Sequence, residues 1–61
     1  MTYHDLFFKL TATETDDDSF YYCLDAMSFQ KKATGYKPKW RDPVPDYIYI
    51  HLEKKFHVSL L

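Results

Sequence analysis

The sequence predicts a small α+β domain in which one amphipathic helix packs on an antiparallel sheet, in the order β-α-β-β. Three observations favour it. Apolar residues alternate with other residues near the start, a segment with helix-capping residues at both ends follows, and apolar residues occupy even positions near the end. The chain has 61 residues, 46% hydrophobic and 28% charged, which indicates one folded domain over residues 1–61.

The first predicted element is a strand over about residues 2–13. Leu6, Phe8 and Leu10 fall on one face of an extended chain, and the threonine-rich continuation also suits a strand. Phe7 lies on the opposite face, so we expect that face to be partly covered as well.

The second element is a helix over about residues 16–33. Thr15 is a suitable N-cap, the acidic run 16–18 follows it, two lysines lie in the last turn, and Gly35 can end the helix. The aromatic run 20–24 has strand propensity, but the chemistry at both ends favours the helix.

The apolar surface of this helix is wider than the ~100° arc of an ordinary surface helix. It consists of two adjacent stripes, which are Phe20, Cys23, Leu24 and Met27, and then Tyr22, Ala26, Phe29 and Ala33. We therefore expect a homodimer with Tyr22, Ala26 and Phe29 at its two-fold interface. Cys23 is expected to be unreactive because it lies among apolar residues.

Residues 36–46 are predicted to form a loop, because three prolines there remove amide donors and restrict the backbone. Cations and aromatic residues are interleaved in this loop: Tyr36, Lys37, Lys39, Trp40 and Arg41. Trp40 is either a partner contact or a part of the core.

Residues 47–61 are predicted to form a β-hairpin with residues 53–55 as its loop. Six of its apolar residues lie at even positions: Ile48, Ile50, Leu52, Phe56, Val58 and Leu60. One long strand is an alternative. An amphipathic helix through Ile48, Leu52 and Phe56 is disfavoured by the β-branched and aromatic residues of the segment.

No metal, cofactor or catalytic activity is expected. The hairpin would pair His51 with His57, but zinc takes three or four protein ligands and no third ligand has a fixed spacing. A single cysteine excludes an internal disulfide. The serines have no base at motif spacing, and one glycine is too few for a phosphate-binding loop.

Charge is divided along the chain although the net charge is −1. Residues 1–30 contain six acids and one base, whereas the rest contains seven bases and three acids. This predicts either an acidic and a basic surface or charges that interleave on folding. The chain has no apolar run near ~18 residues and no secretory signal pattern, so we expect a cytoplasmic protein without a membrane span.

These features favour a small non-enzymatic regulator, adaptor or inhibitor that acts by surface binding to a partner protein. The expected contacts are rigid aromatic residues and adjacent cations, namely Trp40, Tyr36, Arg41, Lys39, Lys37 and Tyr21. The size also suits the small host-binding inhibitors of phages and mobile elements. The alternative is a nucleic-acid-binding module that uses residues 36–41. A sequence pI of about 6.2 disfavours that alternative.

Overall fold

Three α-helices make up the fold, and the computed structural model describes residues 1–60. They are α1 (Tyr3–Thr11), α2 (Asp16–Thr34) and α3 (Asp46–Phe56), and α2 contacts both of the others. Residues 1–60 contain no β-strand, and their extended pairing is limited to one isolated bridge between Thr2 and Pro43. The predicted α+β fold with the order β-α-β-β is therefore wrong. None of the helices in this range combines the length and the apolar character that crossing a membrane requires.

Helix α1 replaces the predicted first strand. Thr2 and Asp5 form a capping box, in which the Asp5 amide donates to Thr2 Oγ1 at 3.2 Å and the Thr2 amide donates to Asp5 Oδ2 at 3.0 Å. The buried residues Tyr3, Leu6 and Leu10 are spaced by three and four, which is the helical period. The strand prediction also failed for Phe8, which is largely exposed.

The predicted helix is confirmed as α2, and Thr15 and Gly35 cap its two ends as the sequence indicates. Thr15 Oγ1 accepts from the Asp18 amide at 3.1 Å. Gly35 adopts a left-handed conformation with φ of 79°, and its amide donates to the Lys31 carbonyl at 2.8 Å.

Contacts within the chain cover part of the wide apolar surface of α2. Cys23, Ala26 and Met27 are buried in the core, and Tyr22 stacks on Phe56 of α3 with ring centroids 4.1 Å apart. The other residues of the two stripes stay exposed to different extents: Phe20, Leu24, Phe29 and Ala33. Contacts within one chain therefore bury much of the apolar α2 surface that was expected to lie in a homodimer interface.

Helix α3 replaces the predicted hairpin. Ile48, Tyr49 and Leu52 face the core, whereas Ile50 is half-exposed. Acidic and basic residues lie in the first and last turns respectively, as the helix dipole favours, and His57 ends the helix with φ of 58°. Burial of one helical face outweighs the strand propensity of individual residues. Residue 61, the end of the predicted hairpin, lies outside the described residues.

The segment after α3 folds back onto α1. Lys9 Nζ donates to the Leu60 carbonyl at 2.7 Å, and the Leu60 amide donates to Glu53 Oε2 at 2.8 Å. The Leu60 side chain joins the core, whose other buried hydrophobic residues are Tyr3, Leu6, Leu10, Cys23, Ala26, Met27, Val44, Ile48, Tyr49 and Leu52.

Replacing Ser19 with alanine is expected to stabilise the fold. The Ser19 side chain is fully buried in α2, and its hydroxyl has no hydrogen-bond partner among residues 1–60. Removing an unpaired buried hydroxyl should raise the free energy of unfolding by about 1 kcal/mol. Urea unfolding measures the change, and the exposed Ser28→Ala is the matched control on the same helix. A less stable Ser19→Ala would show that the hydroxyl has a partner.

The thiol of Cys23 is expected to react slowly with an aromatic disulfide reagent in the native protein and rapidly after unfolding. Cys23 is fully buried, and burial raises the pKa of its thiol to about 12. Absorbance of the released thiolate measures both rates. Equal rates in the two states would contradict the position of Cys23 in the core.

Candidate functional site

The proline-rich loop is fixed to the beginning of α1. The His4 amide donates to the Trp40 carbonyl at 2.9 Å, and the Tyr3 amide donates to the Asp42 carbonyl at 3.2 Å. These bonds occupy helix N-terminal amides that have no partner within α1. The backbone at residues 40–44 is therefore held in place by the start of the first helix.

Asp42 organises the loop from within. Its Oδ2 accepts from the Lys39 amide at 2.9 Å and from Tyr36 Oη at 2.7 Å. The hydrogen bond from the Lys39 amide has the largest effect on the pKa of the Asp42 carboxyl, which it lowers. The hydrogen bond from Tyr36 lowers this pKa further. Tyr36 and Lys39 thus have structural contacts within the loop.

An open cleft of about 520 Å³ lies where this loop meets α1 and α2. The Trp40 ring stacks on Phe20 with centroids 5.7 Å apart and planes 13° apart, and it meets Phe7 edge-on at 6.3 Å. Trp40 is partly buried against the core, whereas Phe20 is 48% exposed. The cleft is lined by Thr2, His4, Phe7, Phe20, Trp40 and Arg41, and we call it the Trp40 cleft.

The Trp40 cleft has an apolar floor and one permanent cation, Arg41, on its rim. Arg41 is exposed, and its guanidinium forms no ion pair or hydrogen bond with any residue in 1–60. His4 lies on the same rim, and no acidic residue in the described range lines the cleft. The cleft can therefore receive an apolar group beside an anion.

The structure brings two of the predicted contact residues together, Trp40 and Arg41. Tyr36, Lys37 and Lys39 are exposed on the same loop but do not line the cleft. The other predicted contact is Tyr21, which also lies outside the cleft lining and packs edge-on against Phe56.

Sequence reasoning missed four of the lining residues as site residues: Thr2, His4, Phe7 and Phe20. Phe20 was assigned to an apolar helix stripe, and Phe7 to the second face of a strand. The capping pattern of Thr2 and Asp5 was the signal in the sequence for a helix that begins at Tyr3. The first amides of such a helix need hydrogen-bond acceptors from elsewhere in the chain.

Two of the residues predicted for self-association, Tyr22 and Phe29, contact α3 of the same chain. Ala26 is fully buried, and the Phe29 ring stacks on His51 with centroids 4.0 Å apart. Phe29 also lines a second, shallower depression with Tyr47 and Ile50 of α3. The homodimer stays a prediction, and its interface would have to use the exposed part of this surface.

A polar network joins α2 to α3. Asp25 Oδ2 lies 2.8 Å from His51 Nε2, and Asp25 Oδ1 accepts from Lys55 Nζ at 2.7 Å. Burial opposes the charged carboxylate, but the hydrogen bonds from Lys55 and His51 outweigh it and lower the pKa of Asp25. The acidic and basic halves of the sequence therefore interleave at this contact.

The predicted pairing of His51 with His57 is wrong because no hairpin forms. His51 lies in α3 and contacts Asp25 of α2, whereas His57 is exposed beyond the end of α3. Across residues 1–60, no three histidine, cysteine or acidic side chains are grouped as metal ligands would be.

Acidification is expected to weaken the fold through Asp25. Its pKa is lowered in the folded state, so its contribution to stability is present above the ordinary value of 3.8 and is lost as the pH falls through the folded value. Urea unfolding between pH ~5 and ~2.5 should show a falling free energy of unfolding, with a smaller slope in Asp25→Asn. An unchanged slope in Asp25→Asn would contradict the role of this network. Asp5 and Asp42, whose pKa values are also lowered, supply the residual slope.

In the Trp40 cleft a loop held by backbone hydrogen bonds, exposed aromatic surface and a cation unpaired within residues 1–60 coincide. Such a combination is typical of the centre of a protein-binding surface. Its lining suits an apolar group beside an anion. Comparisons of the chain with protein-family models, curated proteins and solved structures give no match.

Proposed function

We propose that this chain is a small non-enzymatic interaction protein, a regulator, adaptor or inhibitor, that binds a partner protein through the Trp40 cleft. The observation that supports it is the stack of half-exposed Phe20 on Trp40, held on a loop that is bonded to α1. Tryptophan and arginine are enriched at the energetic centres of protein interfaces. The lone free thiol of Cys23 favours the cytoplasm as the compartment.

Preorganisation strengthens this proposal. Binding is weakened when loops and side chains must be ordered at the interface. The Trp40 carbonyl is already bonded to the His4 amide, and the Trp40 ring already rests on Phe7 and Phe20. A partner would therefore meet a surface with little freedom left to lose.

Single-stranded nucleic acid is the second candidate ligand. The observation in its favour is the unpaired guanidinium of Arg41 beside aromatic rings, which is a combination found in such binding sites. One face of the Trp40 ring is already stacked on Phe20, which reduces the ring surface open to a base. Salt-dependent retention on immobilised single-stranded DNA would favour this candidate.

Selection from a random peptide library tests the proposed function. The immobilised wild-type chain should enrich peptides whose binding is lost in Phe20→Ala and kept in Tyr47→Ala. Both positions carry exposed aromatic rings, but Tyr47 lies in the second depression. Circular dichroism of both variants confirms that they are folded. If no peptide is enriched, or if the enriched peptides bind Phe20→Ala unchanged, the proposal is wrong.

A further inference from the structure

We infer that the partner segment is an acidic peptide, in which a bulky apolar side chain enters the Trp40 cleft and a nearby carboxylate pairs with Arg41. The inference rests on the proposed function and specifies the chemistry of the partner. It follows from the floor of the cleft, the charges on its rim and the acidic start of α2.

The cleft can receive a bulky apolar side chain. The volume of the cleft, about 520 Å³, is within the range of ligand sites, and the rings of Phe7, Phe20 and Trp40 line it. Offset and edge-on ring contacts already occur between these residues, so an added aromatic ring can continue the same packing. The cleft is open, so a side chain can enter while its backbone stays outside.

Arg41 on the rim is available to pair with an anion. Arg41 has no carboxylate partner within residues 1–60, although Asp42 is its neighbour in sequence and Asp5 is next to the cleft residue His4. Asp42 accepts hydrogen bonds within its own loop, and Asp5 is held in the capping box of α1. A planar guanidinium binds a carboxylate through two parallel hydrogen bonds, which gives both affinity and orientation.

The charges around the cleft favour a short acidic peptide over a nucleic acid. Arg41 is the one permanent cation among the lining residues, whereas a nucleic-acid strand needs a series of phosphate contacts. Asp16 and Asp17 lie one helical turn before Phe20 and would repel a phosphate backbone that extended in that direction. A short peptide can instead place a carboxylate on the Arg41 side of its apolar side chain, away from Asp16 and Asp17.

Titration with blocked five-residue peptides tests the inference. The acidic probe has glutamates on both sides of a central phenylalanine, and its analogues replace the glutamates by glutamines or lysines, or the phenylalanine by alanine. Fluorescence of Trp40, the one tryptophan of the chain, and amide NMR shifts follow binding. The acidic probe should bind at least ~10-fold more tightly than each analogue.

Charge variants of the protein identify the partner of the glutamates. Arg41→Gln should weaken the acidic probe about 10-fold and leave the glutamine analogue unchanged. Lys54→Gln is the matched control, because Lys54 is an exposed cation that lines the second depression. This variant should bind both peptides as the wild type does.

Three results would overturn the inference. They are equal binding of the glutamine or lysine analogue, tighter binding of oligothymidylate than of any peptide, and library-selected peptides that need Phe20 but carry no acidic residue. The last result contradicts the acidic partner while it supports the proposed function. Absence of any Phe20-dependent peptide contradicts both.

Discussion

Replacing Leu52 with alanine should unfold a large fraction of the molecules, whereas replacing Ile50 with alanine should leave the chain folded. Leu52 is fully buried in the core, and Ile50 is 49% exposed on the outer side of α3. Truncation of a buried leucine costs about 2–5 kcal/mol. A domain of this size is stabilised by only about 3–5 kcal/mol, so one such truncation is enough.

Thermal unfolding followed by circular dichroism measures both variants, and each serves as the control of the other. The predicted hairpin places Ile50 and Leu52 on one apolar face, so it requires similar losses of stability in the two variants. The helix requires a large loss for Leu52→Ala and a loss below about 1 kcal/mol for Ile50→Ala. Similar melting temperatures for the two variants would contradict α3.

Replacing Trp40 with alanine should reduce both stability and partner binding. The ring is partly buried against the core and contacts Phe7 and Phe20, so it is core and contact at the same time. Because it is not fully buried, the loss of stability should be near the lower end of the range for large core aromatics, about 3 kcal/mol. Binding of Phe20-dependent peptides should fall by about 30-fold or more in the molecules that stay folded.

Phe20→Ala separates the two effects of Trp40. Phe20 is half-exposed, so its truncation removes cleft surface at a smaller cost in stability. Urea unfolding and peptide titration on both variants should therefore show loss of binding in each but a large loss of stability for Trp40→Ala alone. Full binding of Phe20-dependent peptides by a folded Trp40→Ala would show that the Trp40 ring packs against the fold and does not contact the ligand.

The sequence was informative where side chains determine local structure by themselves. The helix α2 was predictable because Thr15 caps its start and Gly35 ends it, and both act on neighbouring backbone groups. In α1 Thr2 and Asp5 contain the same type of information, but the alternation of apolar residues that follows also fits a strand. Leu6 and Leu10 fit a strand by parity and a helix by their spacing of four.

The same ambiguity explains the wrong prediction for α3. A spacing of four residues keeps side chains on one face in a helix and also in a strand, where any even spacing does so. Ile48, Leu52 and Phe56 therefore fit both a helix and a hairpin. Tyr49 and Ile50 distinguish them, because the helix buries the former and exposes the latter. Which of these two is buried depends on tertiary packing, which single-residue propensities do not contain.

The candidate site was predictable in part for a related reason. Trp40 and Arg41 are adjacent in a proline-rich loop, so their pattern was visible in the sequence. Their neighbours in the cleft come from α1 and α2, and those contacts exist because the loop bonds to the start of α1. A prediction that made α1 a strand could not place Phe7 beside Trp40 and Phe20.

Amide and indole NMR shifts of the labelled chain, with a library-selected peptide added, test the proposed docking site most directly. The largest shifts are expected at the Trp40 indole N–H and at the backbone of the other cleft residues, Thr2, His4, Phe7, Phe20 and Arg41. Tyr47 and Ile50, which line the second depression, should be unaffected. Shifts centred on Tyr47 and Ile50, with none at Trp40, would contradict the assignment of the docking site to the Trp40 cleft.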